Sequence, residues 1–234
     1  MKRLALQPRL LAALSLALSA GSPAFSQMPT AGSPTGINAA FVKLFGGVAA
    51  FTAKVEARAF DSTQKETVRM LMDWTVLDGK VRLDIDLEQM TNKDLPAATV
   101  ASLKQAGMTR ITSVFRPDKK ATYVIYPGVQ SYQTIPLAKG ELKALETGLK
   151  LEKTALGKET VDDHACVKNK AVVKSGQERV LEAVTWNASD LKEFPVQIEM
   201  KEKQSTVRLR FSRIQFVKPA AAQFEVPAKY GLMK

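Results

Sequence analysis

The residue types best suited to chemistry in this 234-residue chain stand together in Asp162-Asp163-His164-Ala165-Cys166, which holds its single histidine and its single cysteine. Carboxylate, imidazole and thiolate are metal-ligand types, and a thiol near an imidazole can serve redox chemistry. The spacing works against convergence. Neighbouring residues on a strand point to opposite faces, and Asp-Asp is ordinary turn chemistry. Cys166, beside the apolar Val167, is expected to be a small core residue. A hydrolase would need His164 as its base, and no G-x-S-x-G elbow, Gly-rich phosphate loop or H-E-x-x-H helix accompanies it. The chain is expected not to be an enzyme, with no metal site and no cofactor.

Two further sets share strand faces. Asp84, Asp86 and Glu88 alternate, as oxygen ligands of a cation would. Arg208 and Arg210 form a matching basic face on a late strand, so cross-strand ion pairing is the expected use of both sets. The basic face also suits an anionic headgroup. Met70, Met72 and Trp74 lie with Val68 and Val76. Methionine is flexible and polarizable, so this face fits an adaptable wall around an acyl chain as well as a packed core.

The elements that would position these residues follow from periodicity. Ile37, Ala40, Phe41, Leu44 and Phe45 follow helical spacing, and Gly46-Gly47 ends the helix. Period-two alternation then runs through Phe51 to Ala59, Val68 to Val76 and Val81 to Leu87, with Asp78-Gly79 as a two-residue hairpin turn. Pro96 to Gly107 is a second helix. Strands follow at Arg110 to Arg116, Ala121 to Tyr126 and Ser131 to Ile135. KGELKALETGLK, residues 139–150, is a third helix. Four more strands are expected around Cys166 to Lys174, Arg179 to Asn187, Val196 to Lys201 and Thr206 to Phe216. The tail from Phe224 to Met233 carries Pro227 and is expected to be an irregular edge segment. This is an α+β pattern: a curved antiparallel sheet forming a half-open β-barrel, with short helices covering its concave face.

The N-terminus carries an address. Lys2, Arg3 and Arg9 precede the apolar run Leu10 to Leu18, and Ala24-Phe25-Ser26 is a small-x-small cleavage site. The run is too short to span a bilayer, which takes about 20 residues. Residues 1–26 therefore read as a signal peptide, 27–36 (QMPTAGSPTG) as a flexible leader and 37–234 as one domain. Export to the periplasm is expected. No cysteine follows the cleavage site to carry a lipid anchor, so the mature protein should be soluble, and a lone cysteine forms no intramolecular disulfide. Losing Lys2, Arg3 and Arg9 lowers the net charge from +11 to +8. Outside the cytoplasm such a surface meets an anionic membrane surface or an acidic protein rather than nucleic acid.

Several segments, in order, carry a likeness to a known family. They are FTAKVEAR, DGKVRLDI, SVFRPDKKATYVIYPGVQSYQTIP, LGKETVDDHACVKNKAVV, WNASDLKEFPVQIEM and the closing FEVPAKYGLM. Together they resemble the periplasmic lipoprotein-carrier superfamily of LolA and LolB, most closely a branch defined only as a domain of unknown function. The resemblance covers nearly all of the mature chain. It implies an unclosed antiparallel barrel covered by helices, with a hydrophobic cavity for acyl chains. Carriers of the LolA type hold their lid with an arginine in a W-x-(K/R)-R-P context; the nearest position here is Arg82, with no proline after it. The expected function is an exported, monomeric binding protein that holds an acyl chain or a lipidated partner, as a lipoprotein or lipid carrier. Phe41, Phe45, Phe51, Met70, Met72, Trp74, Leu83 and Ile85 are the expected lining. The alternative is a periplasmic protein-interaction or sensor module with a filled core and no ligand.

Overall fold

The computed structural model describes residues 37–92, 95–201 and 205–233. The expected signal peptide and leader lie outside the described residues. In chain order the elements are α1 (Ala39–Lys43), β1 (Ala50–Asp61), β2 (Glu66–Leu77), β3 (Lys80–Asp86), β4 (Thr91–Asn92), α2 (Ala97–Gln105), β5 (Arg110–Arg116), β6 (Ala121–Tyr126) and β7 (Ser131–Pro136). Then come α3 (Lys139–Thr147), β8 (Leu149–Val161), β9 (His164–Ser175), β10 (Glu178–Ala188), β11 (Phe194–Lys201), β12 (Ser205–Gln215) and β13 (Gly231–Leu232).

All thirteen strands belong to one sheet, ordered β13-β7-β6-β5-β3-β2-β1-β12-β11-β10-β9-β8, with β4 paired to β2 off that path. The end strands do not meet, so the sheet is open and curved, and three short helices accompany it. This is the expected α+β architecture. Neighbours run antiparallel except β13, which lies parallel to β7. The Asp78-Gly79 hairpin forms with φ of 49° and 81° at its two residues, the doubly left-handed turn that matches strand twist. Gly128 in the β6–β7 turn meets Gly107 so closely that a Cβ on Gly128 would lie 2.0 Å from the Gly107 carbonyl oxygen. That contact seats the end of α2 on the turn.

The two sheet faces follow from alternation. On one, Ala53 of β1 lies opposite Trp74 of β2, which lies opposite Leu83 of β3. Val55, Met72 and Ile85 form the next row. This is the concave face, and α1 packs over its β8–β9–β10 end beside α3. Toward the other end α2 supplies Leu103, which packs with Met108, Val124 and Tyr126. The convex face carries the charges, and over β5–β7 it is covered by the C-terminal tail. There Phe224 is wholly buried with Leu77, Val114 and Ile125.

Two local expectations are corrected. The third helix ends at Thr147, and after Gly148 the thirteen residues Leu149–Val161 form β8, an edge strand the sequence did not signal. The residues from Lys153 to Thr160 are exposed; with solvent on both sides they have no apolar alternation to show. The tail is also more than an edge segment: it crosses the convex face, and Gly231–Leu232 alone pairs at the edge.

Candidate functional site

The concave face collects the largest of the apolar clusters among the described residues. The eight expected lining residues, Phe41, Phe45, Phe51, Met70, Met72, Trp74, Leu83 and Ile85, all belong to it, and each is buried. Strand alternation places six of them, α1 supplies Phe41, and the turn after α1 supplies Phe45. Asn38 caps α1, its side-chain oxygen accepting from the Phe41 N–H at 2.8 Å, and the helix turns at Gly46 with φ of 63°. Phe41 and Phe45, one helical turn apart, therefore project together onto the sheet.

Phe45 is the hub. Its ring centroid lies 5.8 Å from Phe41, 4.9 Å from Phe51, 6.2 Å from Trp74 and 5.5 Å from both Phe194 and Phe211. Most of these pairs are edge-to-face or tilted, the arrangement ring quadrupoles favour. On this face of β1, Ala53 lies between Phe51 and Val55 opposite Trp74, and Ala57 and Ala59 continue the row farther along the strand. The small side chain of Ala53 leaves room beside the Trp74 ring. α1 and the turn after it thus fill the basin with the rings of Phe41 and Phe45.

Phe194 and Phe211 complete the basin and were not among the expected lining. Their signal was present: Phe211 falls in phase with Val207 and Leu209, and Phe194 opens the apolar alternation of β11. Near the basin three polar residues are buried and bonded together. Thr185 Oγ1 donates to Asn187 Oδ1 at 2.7 Å, Asn169 Nδ2 donates to the same oxygen at 3.1 Å, and Asn187 Nδ2 donates to the Glu193 carbonyl at 2.7 Å. Such a network fixes strand register rather than offering free groups.

A tie joins α1 to α3. The Ala39 N–H donates to Glu141 Oε1 at 3.3 Å. Burial raises the Glu141 pKa, and the hydrogen bond from Ala39 opposes that rise.

The chemically suggestive sets separate. Asp162 and Asp163 form the β8–β9 turn with φ of 47° and 65°, and Asp162 pairs with Arg210 at 2.7 Å. His164 Nδ1 lies 2.7 Å from Asp190. Cys166 is buried, its thiol donates to the His164 carbonyl, and burial pushes its pKa up. A thiol held protonated is a poor nucleophile and a poor ligand. Arg208 pairs with Glu199 directly across the β11–β12 ladder, the expected cross-strand use. Asp84 instead serves Arg82 and Thr112, and Glu88 serves Lys104 and Thr109. A cleft of about 370 Å³ on the convex face is lined by Lys54, Asp73, Asp84, Asp86 and Arg213 among others. Asp73 is paired with Lys54, and Asp86 bonds the Glu88 N–H and Gln89, so these carboxylates are engaged. Among the described residues no group of His, Cys, Asp and Glu side chains could hold a metal ion, and no helix is long and apolar enough to cross a membrane. Arg82 lies on the convex face, opposite the side that α1 covers, and donates to the Gln223 carbonyl of the tail.

No family model and no curated protein matches the chain. Solved structures do. The lipoprotein LppX of Mycobacterium tuberculosis matches with 11% identity and a TM-score of 0.40 over 75% of this chain and 91% of its own. A DUF1329 family protein of Desulfovibrio piger matches with 12% identity and a TM-score of 0.36 over 80% and 94%. A LolA superfamily protein of Nitrosomonas europaea matches with 12% identity and a TM-score of 0.35 over 78% of this chain and 93% of that one. The open antiparallel sheet of this chain is similar to the folds of these proteins.

Proposed function

We propose that the chain is an exported binding protein that holds an acyl group between the concave face of its sheet and α1, with α1 as a lid, and that it works as a monomeric carrier of a lipid or lipidated protein in the periplasm. The observation that carries this reading is the way α1 fills the basin. A five-residue helix and the turn that follows it insert Phe41 and Phe45 into a bowl of aromatic, methionine and alanine side chains. Each ring buries about 150–250 Å² of surface. Apolar attraction is non-directional, so an acyl chain offers the bowl the same contacts. When α1 and its turn swing away, the vacated space forms the binding site, and Met70 and Met72 adapt to the chain. Nothing in the basin is a nucleophile or a base, which fits binding rather than catalysis.

The test is native mass spectrometry of the mature protein purified from the periplasm, with lipid extraction of the same sample. A stoichiometric acyl-containing adduct is expected. A clean apo mass with no uptake of added lipid overturns the reading. It would favour the second one, a protein-interaction module, for which the ring-filled basin is the supporting observation. In that case partner binding should fall steeply with salt, whereas acyl uptake should not.

A further inference from the structure

The two tryptophans of the chain differ in one respect. Trp186 is buried, and its Nε1 donates to Glu159 Oε2 at 2.7 Å. Trp74 is 1% exposed, and its Nε1 has no hydrogen-bond partner among the described residues. Buried indole N–H groups ordinarily have a partner, because leaving a donor unpaired in an apolar setting forfeits its hydration. Trp74 sits at the middle of the basin. Its register partners are Ala53 and Leu83, and its ring neighbours are Phe41, Phe45 and Phe211. None of these side chains carries an acceptor. A single trapped water would also lack the two to four polar partners it needs. Contact with a ring face is a weak substitute for a bond.

We propose that the Trp74 indole N–H is the polar anchor of the binding site, and that it receives a neutral carbonyl oxygen from the ligand, that of an acyl ester or acyl amide. The inference rests on the acyl-binding reading above and narrows its ligand. An acceptor is needed because the donor is already buried and unpaired. The acceptor is neutral because none of the five residues named around Trp74 carries a positive charge, and burying an unpaired carboxylate there is costly. Hydrocarbon fills the bowl but leaves the donor orphaned; an ester fills it and pairs the donor. Glycerolipids and lipidated protein N-termini share this carbonyl chemistry.

The experiment follows both indole N–H resonances by two-dimensional NMR while the mature protein is titrated with methyl oleate, oleate or heptadecene in detergent-free dispersions, with Trp74→Phe measured alongside by calorimetry. Trp186, already bonded, is the internal reference. Methyl oleate should bind and move the Trp74 indole proton downfield while Trp186 stays still. Heptadecene should bind about fivefold more weakly, the worth of one net hydrogen bond, and leave the Trp74 proton in place. Oleate should fall below methyl oleate. Trp74→Phe keeps a ring in the bowl and removes the donor, so the preference for methyl oleate over heptadecene should disappear in this variant, whatever the smaller ring does to the binding of both. If none of the three binds the wild-type protein, the acyl-binding reading itself fails. If all bind equally and Trp74→Phe lowers none selectively, the acyl reading stands and the anchor is overturned. If oleate binds best, the acceptor is a carboxylate and the neutral-carbonyl assignment is wrong. A second glycerolipid arm, monoolein against an N-palmitoyl peptide, separates the two sources of the carbonyl.

Discussion

Both faces of the sheet are covered by a short piece of chain, and the two covers are held by different physics. On the concave side α1 is seated by Phe41 and Phe45 in an aromatic basin, with the Ala39 N–H tied to Glu141. On the convex side the tail is seated by Phe224 and then clamped. Arg116, 5% exposed, donates to the Phe224 carbonyl, to Glu225 and to both oxygens of Asp118. Lys119 adds a second bond to Glu225, and Arg82 holds the Gln223 carbonyl. Charge-assisted bonds of fixed geometry have no substitute in an acyl chain. Apolar contacts have one. On the acyl-binding proposal, a cover can be as buried as a core and still be replaceable, provided its contacts are non-directional.

The largest expected effect comes from removing the rings. Phe45→Ala and Phe224→Ala each leave a cavity under a cover and should each lower unfolding stability by about 3–5 kcal/mol in urea titrations. They should part when methyl oleate is added. The ligand refills the basin, so Phe45→Ala should regain part of its lost stability, and Phe224→Ala should gain no more than wild type does. Equal gains in the two variants would erase the distinction between the covers.

Next in size is Arg116→Met, which removes the clamp and leaves Asp118 and Glu225 on the surface. Bonds to a charged group are worth about 1.5–3 kcal/mol when buried. Since both carboxylates are about half exposed, a loss of about 1–2 kcal/mol is expected. Acyl uptake should not change. A loss of uptake would mean that the tail and the basin are coupled, contrary to the comparison.

Much of this arrangement was legible in the residues, for reasons that also mark where legibility stops. Val81, Leu83 and Ile85 alternate with charges because one side of β3 is dry and the other wet, so strand and face could both be assigned. The same logic failed for β8, where Lys153 to Thr160 are solvated and no alternation is written. It found the half of the basin carried by α1, β1, β2 and β3. It passed over Phe194 and Phe211, since only the return of β11 and β12 beside β1 brings them to Phe45. The Arg116 clamp joins residues 108 and 109 positions apart, and nothing local in FRPDK announces it. The unpaired Trp74 donor is of the same kind: an orphan exists only once every neighbour is known.

The smallest expected effect concerns acid. Arg116 beside Asp118 lowers that carboxyl's pKa to about 2 from an ordinary 3.8. Its contribution to stability is therefore present above about pH 4 and is lost as pH falls through about 2. Glu141 is the reverse case: burial raises its pKa, so its contribution is full below its ordinary range and is lost as pH rises through the folded value. Between neutral pH and pH 4 the α1 amides should gain protection in hydrogen exchange, corrected for intrinsic rates, while the tail keeps its own. Below that the tail should loosen first. Glu141→Gln retains an oxygen for the Ala39 N–H and removes the titration. It should change stability at pH 7 by less than about 1 kcal/mol and abolish the acid gain at α1, leaving the tail's acid response as it was. An acid gain that survives Glu141→Gln would place the titrating group elsewhere and cut the link between α3 and the lid.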